Sequence, residues 1–558
     1  MIIYFIFILI IFFLIIYIFT FINKRKIKKS IEKIKTNWGC KLERVRNFAE
    51  IEKYLPFDKN FDCYTLTEQT LIDIDIQNLF HFIDRTITTI GQQYLYSKIV
   101  KPSININELE IRGKHADFFQ KNDTLRLKTQ IVLQNLEKKS TDLITDIFYT
   151  NTAIDNKKLY TTIIVLSVLA LTSILFCLLT PKIAIVLIFL FGVNLLVHLI
   201  YRYYNSRKLK TIQQVYQLLN TVDKLMKLKL PITLEKKSYI DFTFKRFKKV
   251  YPFLNFGIPT NDISGIIFYF FDLIKSFFLI EIHLLNFTFN EIIKNKDSLN
   301  LLFTYIGQIE MSLSTASIMY SKIEYCKPIF ITNKTNLACQ DALHPLIINC
   351  IPNSMQLYQT NAFITGSNMS GKSTFLRTIL INSILSQSLF IAFAKEFTSP
   401  ILKILSSIKI SDNLEEGTSY FFKEVSLILE MIIHSRSESK NLFVIDEIFK
   451  GTNTIERISL AKAVLSNLSS GNNNIVIASS HDIELIELIG NKFRHFHFTE
   501  SIINNELQFD YIIKDGPITT RNAIKITEIA GFPADVINEA NAIASSFFIN
   551  SLSCFTKK

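Results

Sequence analysis

Residues 366–374 read Gly-Ser-Asn-Met-Ser-Gly-Lys-Ser-Thr, and few runs of this length restrict a fold so tightly. Two glycines four residues apart, followed by Lys372 and Ser373, make a phosphate-binding loop only where a buried strand ends in front and a helix begins behind. Ala362-Phe363-Ile364 supplies the strand end, and Thr374-Phe375-Leu376-Arg377-Thr378-Ile379-Leu380 supplies the helix start. Gly366 and Gly371 let the backbone curl until successive N–H groups face phosphate oxygens. The helix N-terminus adds partial positive charge, and Lys372 reaches the outer phosphates. The Ser373 hydroxyl would complete the shell of a magnesium ion, which takes few protein ligands. These residues predict an α/β domain with a nucleotide at its strand tips.

Residues 441–445, Asn-Leu-Phe-Val-Ile, form an apolar run that ends in Asp446-Glu447. Continuous apolarity suits a strand covered on both faces of a parallel sheet, and ligands bind at the C-terminal ends of such strands. Asp446 is then the partner of the metal, and Glu447 the base that orients and deprotonates an attacking water. A third apolar strand, Ile475-Val476-Ile477-Ala478, ends in Ser479-Ser480-His481-Asp482. His481 at that strand end is placed to sense a terminal phosphate.

The length of 558 residues leaves room for three or more domains. Seven cysteines, odd in number and scattered without a Cys-x-x-Cys pair, argue against a zinc site or disulfide framework and fit a reducing compartment. The net charge of +13 does not by itself point to nucleic acid, because much of it flanks apolar segments.

Residues 1–22 carry no charge and are long enough to cross a bilayer, and Lys24, Arg25, Lys26, Lys28 and Lys29 follow at once. A secretory signal would show a basic start and a small-residue cleavage site, so an anchor is expected. A second apolar block, 161–201, is broken only by Pro181-Lys182 and predicts a helical hairpin. Lys157 and Lys158 before it and Arg202, Arg207, Lys208 and Lys210 after it place both flanks in the cytoplasm. Three transmembrane helices with the N-terminus outside satisfy these flanks, giving a multi-pass cell-membrane protein whose remaining domains are cytoplasmic. A fourth apolar stretch, 265–289, is interrupted by Asp272, Lys275 and Glu281 and predicts a long core helix.

The run Asp84-Arg85-Thr86-Ile87-Thr88-Thr89-Ile90-Gly91 sits in helical spacing, with Pro102 breaking two helices. This segment resembles the start of the lever domain of the MutS family of DNA mismatch-repair ATPases. The phosphate loop has that family's Asn-Met at Asn368-Met369. Asp446-Glu447-Ile448-Phe449-Lys450-Gly451-Thr452-Asn453-Thr454 resembles its Asp-Glu-Ile-x-x-Gly-Thr-x-Thr box. Ser419-Tyr420-Phe421-Phe422-Lys423-Glu424-Val425 looks like its signature loop, and His344-Pro345 and Ile529-Ala530-Gly531-Phe532-Pro533 also fit. Similarity covers about residues 65–155 and 300–545.

The resemblance implies a multidomain fold: an α-helical lever and core domain plus an α/β ABC-type ATPase domain, with the three predicted spans added. The expected organisation is a transmembrane anchor (1–22), a basic linker (23–64), lever and core helices in two parts (65–158 and 202–335) around the membrane hairpin (160–201), the ATPase domain (336–526) and a helical dimerisation segment (527–558). Carried over by position, Gly366, Asn368, Met369, Ser370, Gly371, Lys372, Ser373 and Thr374 hold ATP. Ser373 and Asp446 hold Mg2+, and Glu447 and His481 are catalytic. Ser419 reaches across a homodimer of ATPase domains to the second nucleotide, and DNA is the implied partner.

Departures narrow this reading. Only about 60 residues lie between the expected anchor and the lever segment that starts at Leu79, too few for the family's mismatch-binding domain, and the membrane hairpin falls inside the helical core. Phe48-Ala49-Glu50 matches a Phe-x-Glu wedge, but with 48 Phe such a tripeptide arises by composition. Basic residues at Lys236-Lys237 and Lys245-Arg246-Phe247-Lys248-Lys249 suit nucleic-acid phosphates, anionic lipid or a solvated face alike. Two alternatives stand beside a DNA-directed ATPase: a transport ATPase of the ABC type, and a membrane-associated ATPase with a non-DNA partner.

Overall fold

The computed structural model describes residues 31–58, 62–137, 143–150, 157–180, 184–232, 272–367, 369–409, 420–503, 506–517, 523–529 and 531–543, with isolated positions before residue 31 and at Lys245 and Lys249. The chain forms two compact units. One comprises Met1–Asn60, Ile83–Ser97 and Lys114–Ser321, the other Phe61–Phe82, Lys98–Gly113 and Lys322–Lys558.

The first unit is helical among its described residues. The Asp84-Arg85-Thr86 segment enters the helix Thr89–Val100 through a buried polar knot. Asp84, fully buried, accepts bonds from Arg44 at 2.8 Å and Arg46 at 2.7 Å. Glu310, equally buried on the helix Lys296–Tyr320, accepts from the backbone N–H groups of Ile87 and Thr88 and from the Thr88 hydroxyl. Burial pushes the Glu310 carboxyl up to about 7. A Cβ on Gly91 would stand 2.5 Å from a Glu310 oxygen, so this approach requires glycine.

The hairpin forms as the apolar pattern requires, with helices Lys157–Leu179 and Ala184–Tyr204 on either side of Pro181. Segments 158–177 and 184–204 have mean hydropathies of 2.2 and 2.5, and only 11% of each is buried. These are two helices long and apolar enough to cross a membrane, where three were expected; the expected first span, 1–22, lies almost wholly outside the described residues. The 265–289 stretch also departs from expectation. Its described part is not one helix: Leu279 adopts φ +52°, and the helix Ile280–Lys294 starts after it. The break has a packing reason. Leu279 and Ile282 join Ile163 of the hairpin in an apolar cluster, and Asn194 donates to the Phe277 carbonyl at 2.6 Å. Glu281, an expensive residue to bury alone, lies 2.9 Å from His198.

The second unit is α/β. In chain order its strands are β1 (Ile329–Phe330), β2 (Asn336–Ala342), β3 (Asn353–Tyr358), β4 (Asn361–Thr365), β5 (Glu396–Ser399), β6 (Lys403–Ser407), β7 (Asn441–Asp446), β8 (Asn474–Ser479), β9 (Phe493–His497), β10 (Glu500–Ile503), β11 (Glu506–Phe509) and β12 (Lys514–Asp515). A six-stranded sheet has the order β12-β9-β4-β8-β7-β6, parallel except for β12. A four-stranded sheet, β1-β5-β2-β3, and the hairpin β10-β11 complete the set. Strands β4 and β8 are buried at every residue and β7 at all but Asp446, as a sheet covered on both faces demands. Phe363, Phe443, Ile445 and Val476 from these strands pack with Ile428, Met431, Val464 and Leu465 from the helices.

Residues 65–158, expected as one lever segment, are divided between the two units. The reason is hydrogen bonding. Buried Asp73 accepts from the Ser406 hydroxyl at 2.7 Å and from the backbone of Ile408 and Lys409 at 3.0 and 2.8 Å, which completes the end of β6. Arg112 donates to the Ser388 carbonyl at 2.6 Å. Of the expected dimerisation segment, 527–558, the structure describes the end of the helix Ala523–Ile529 and a helical stretch at 534–543.

Candidate nucleotide site

Strand β4 delivers the chain to Gly366, whose φ of +141° turns it into the loop; a Cβ there would meet the Phe498 carbonyl oxygen at 2.8 Å. The helix Lys372–Leu389 follows at once, capped by Gly371 at φ +109°. Lys372 is 1% exposed and folds over the loop, donating to the carbonyls of Gly366 at 2.5 Å and Ser367 at 2.8 Å. Burial holds its ammonium down at about 8. Ser370 is buried and donates to the Ser367 carbonyl, whereas Met369 is exposed. Asn368 and Ser419 lie outside the described residues.

Strand β8 stands between β4 and β7, and this order assembles the site. Parallel register sets Asp446 against Ser479, and the Ser373 and Ser479 hydroxyls each donate to one Asp446 oxygen. The next residue, Glu447, adopts φ +53°, and its N–H bonds to the Ser479 carbonyl at 3.0 Å. Its carboxylate meets His481 Nε2 at 2.7 Å and Lys450 Nζ at 2.5 Å. The bond from His481, ahead of that from Lys450, holds the Glu447 carboxyl down at about 2. His481 Nε2 also lies 3.4 Å from Lys372 Nζ. Lys372, Ser373, Asp446, Glu447 and His481, assigned from three separate stretches of sequence, therefore converge in one place.

Several contacts of the constellation were not legible in the motifs. Ser479 and Lys450 bond the two acidic residues directly, and only parallel pairing of β7 with β8 identifies the first. Glu424, 2% exposed on the helix Tyr420–Ser435, accepts from the Phe449 N–H and so ties the signature segment to the Asp446-Glu447 turn. Beside the loop, a cavity of about 340 Å³ is bounded by Gly371, Thr374, Phe375, Ile348, Asn353 and Tyr511. Asn353 fixes the Tyr511 segment, donating to its carbonyl at 2.9 Å and accepting from Ile513 N at 2.7 Å.

The paired oxygens of Asp446 and the Ser373 hydroxyl are hard donors at the loop, which fits the chemistry of Mg2+ with most of its shell left to water and phosphate. Among the described residues no cluster of three or more His, Cys, Asp or Glu side chains forms a closed metal cage.

Residues 362–548 match the family described as MutS domain V. The chain is 30% identical over 253 residues to the DNA mismatch repair protein MutS of Staphylococcus haemolyticus, covering 43% of this chain and 28% of the relative. It is 30% identical over 248 residues to the protein of the same name from Pseudothermotoga lettingae, covering 43% and 30%. The corresponding Staphylococcus aureus protein gives 30% over 253 residues, covering 43% and 29%. Each match thus spans less than a third of the relative's length.

Proposed function

We propose that this chain, which belongs to the MutS family, binds and hydrolyses ATP at the tips of β4, β8 and β7 and uses the cycle to move its helical unit. The observation that carries the reading is the meeting of Lys372, Ser373, Asp446, Glu447 and His481 at adjoining strand ends. In this proposal Gly366, Asn368, Met369, Ser370, Gly371 and Thr374 surround the phosphates, and the cavity walled by Tyr511 and Phe375 takes the base. Lys372 leaves the loop carbonyls for the phosphate oxygens, exchanging neutral partners for charged ones. Ser373 and Asp446 hold Mg2+, which when bound neutralises charge on the outer phosphates. Glu447 orients the attacking water, and His481, already bonded to it, links its position to that of Lys372.

The test is magnesium-dependent ATP hydrolysis by the purified full chain. Glu447→Gln is expected to bind ATP normally and to lose on the order of 10²–10⁴-fold in kcat. Lys372→Ala is expected to lose binding as well; hydrolysis at the parental rate in either variant refutes the assignment.

The remaining parts of the proposal follow the family and the surface. Two ATPase units pair as a homodimer, with Ser419 of one completing the nucleotide site of the other, and the helical unit grips DNA, as the relatives' names suggest. The exposed apolar hairpin supports attachment to the cell membrane through helices Lys157–Leu179 and Ala184–Tyr204, with both flanks cytoplasmic. That same hairpin favours a second reading, in which the partner is a membrane component rather than DNA. Titrating duplex, mismatched and branched DNA against the full chain, with and without ATP, separates the two. Binding that weakens steeply with salt supports DNA, and no binding at low salt supports the membrane partner.

A further inference from the structure

The first unit contains a cavity of about 650 Å³, within the range of small-molecule sites. Its walls combine two kinds of side chain. Ile34, Trp38, Leu42 and Ile87 form an apolar part, and Arg85, Lys29 and Lys33 bring positive charge. No Asp or Glu borders it among the described residues.

Arg85 is the unusual member. It is 8% exposed, and among the described residues its guanidinium bonds only to neutral oxygens: the Gly39 carbonyl at 3.1 Å, and the Ser317 carbonyl and hydroxyl at 2.5 and 3.4 Å. Its neighbour Arg44 is paired with Asp84, but Arg85 has no carboxylate partner among the described residues. Burial pulls Arg85 down to about 10, so it remains charged at neutral pH. A buried cation without a counter-charge is costly, and an anionic ligand would remove that cost. Unpartnered buried atoms add to the case: among the described residues neither the donors Arg85 Nε and Trp38 Nε1 nor the acceptor Gln130 Oε1 on the same wall has a hydrogen-bond partner. Trp38 is held in place by Arg126, whose guanidinium lies 4.1 Å from its ring centre.

We propose that this cavity binds an amphiphilic phosphate ester, its anionic head at Arg85, Lys29 and Lys33 and its apolar body against Trp38, Ile34 and Leu42. The phosphate can come from a bilayer phospholipid or from a soluble organic phosphate. Lys29 closes the basic run that follows the apolar residues 1–22, and Lys33 lies one helical turn beyond it, which favours the lipid source. The site is distinct from the nucleotide loop, so it stands or falls independently of ATP hydrolysis.

Trp38 is the only tryptophan in the chain, so its fluorescence reports occupancy directly. The full chain in a neutral sugar-headed detergent is titrated with dioctanoyl phosphatidic acid, dioctanoyl glycerol, inorganic phosphate and AMP. The expected result is a saturable change in Trp38 emission with dioctanoyl phosphatidic acid, and little with dioctanoyl glycerol. The double variant Lys29→Gln/Lys33→Gln, altered at two exposed positions, should bind at least about tenfold more weakly, as loss of two phosphate contacts implies. Arg85→Gln should abolish the response; if it fails to fold, by thermal melting, the lysine variant decides. A saturable response to AMP or inorganic phosphate with the same lysine dependence supports the site and assigns it a soluble source. An equal response to dioctanoyl glycerol, no saturable response to any probe, or affinity unchanged in the lysine variant overturns the proposal.

Discussion

The helices Lys372–Leu389 and Ala184–Tyr204 are similar in length and opposite in logic. The first is enclosed by protein along nearly its whole length, yet Thr378, Asn382, Ser383, Ser386, Gln387 and Ser388 are all buried in it. The second turns Ile185, Val186, Ile188, Phe189, Leu196 and Leu199 outward, and they are exposed. The buried helix is thus the more polar of the two. A protein interior can offer partners to most of these groups: Asn382 accepts from Phe393 N at 2.6 Å, and Gln387 bonds both the N–H and the carbonyl of Leu402, at 2.8 and 2.9 Å, while the Ser383 and Ser388 hydroxyls have none among the described residues. Hydrocarbon offers no such partners, so a helix facing it must be apolar outward. The exposed helix carries its own few polar side chains inward, Asn194 and His198 being buried against 272–294.

Substitutions can break this contrast. Leu380→Asp places an unpaired carboxylate inside the enclosed helix and should cost more than about 4 kcal/mol, abolishing nucleotide binding; a variant that melts with the parent would remove the claim of enclosure. Ile188→Lys should oppose bilayer insertion by about 3 kcal/mol, seen as a chain released from membranes by alkaline carbonate. Were that face turned to water, the same change would be worth within about 0.5 kcal/mol. Gln387→Leu keeps the volume but strands both Leu402 groups, at about 1–3 kcal/mol each, measurable as a lower denaturant midpoint.

A smaller effect concerns the loop itself. Lys372 has its pKa lowered from 10.5 to about 8, so the free protein loses this proton before the unfolded chain does. Between those values the unfolded chain binds more protons, and native stability rises with pH over that window. ATP needs the charged ammonium, so its affinity should fall as pH climbs above about 8, by at most about tenfold per unit. Isothermal titration of the parent against Lys372→Arg, which stays charged, checks this: the variant's profile should be flat. Last, Asn453 caps the helix Thr454–Leu468 by accepting from Glu456 N at 3.0 Å. Asn453→Ala should cost about 1 kcal/mol, read as a small drop in melting temperature with Mg2+-ATP hydrolysis retained.

Much of the candidate site's geometry was legible because local chemistry dictates it. A loop that must curl shows its glycines, strands covered on both faces show unbroken apolar runs, and their ends show Asp446, Glu447 and His481. The break at Pro102 was legible for the same reason, a missing donor and a fixed φ. The contacts of Ser479, Lys450 and Glu424 were not, since such partners come only from what the fold sets beside each residue. Nor was the break at Leu279, where packing against Ile163 overrides an apolar pattern that reads as continuous helix.

The amino-acid order alone settled the loop, its flanking strand and helix, and the two apolar hairpin helices, because each depends on spacing within a few turns of chain. Tertiary structure alone decided that β8 lies between β4 and β7, that residues 62–82 and 98–113 join the sheet-bearing unit, and that Arg85 is buried with no carboxylate beside it among the described residues. These are long-range pairings. Each is selected by burial and hydrogen-bond satisfaction summed over the whole fold, and no short stretch of sequence records that sum.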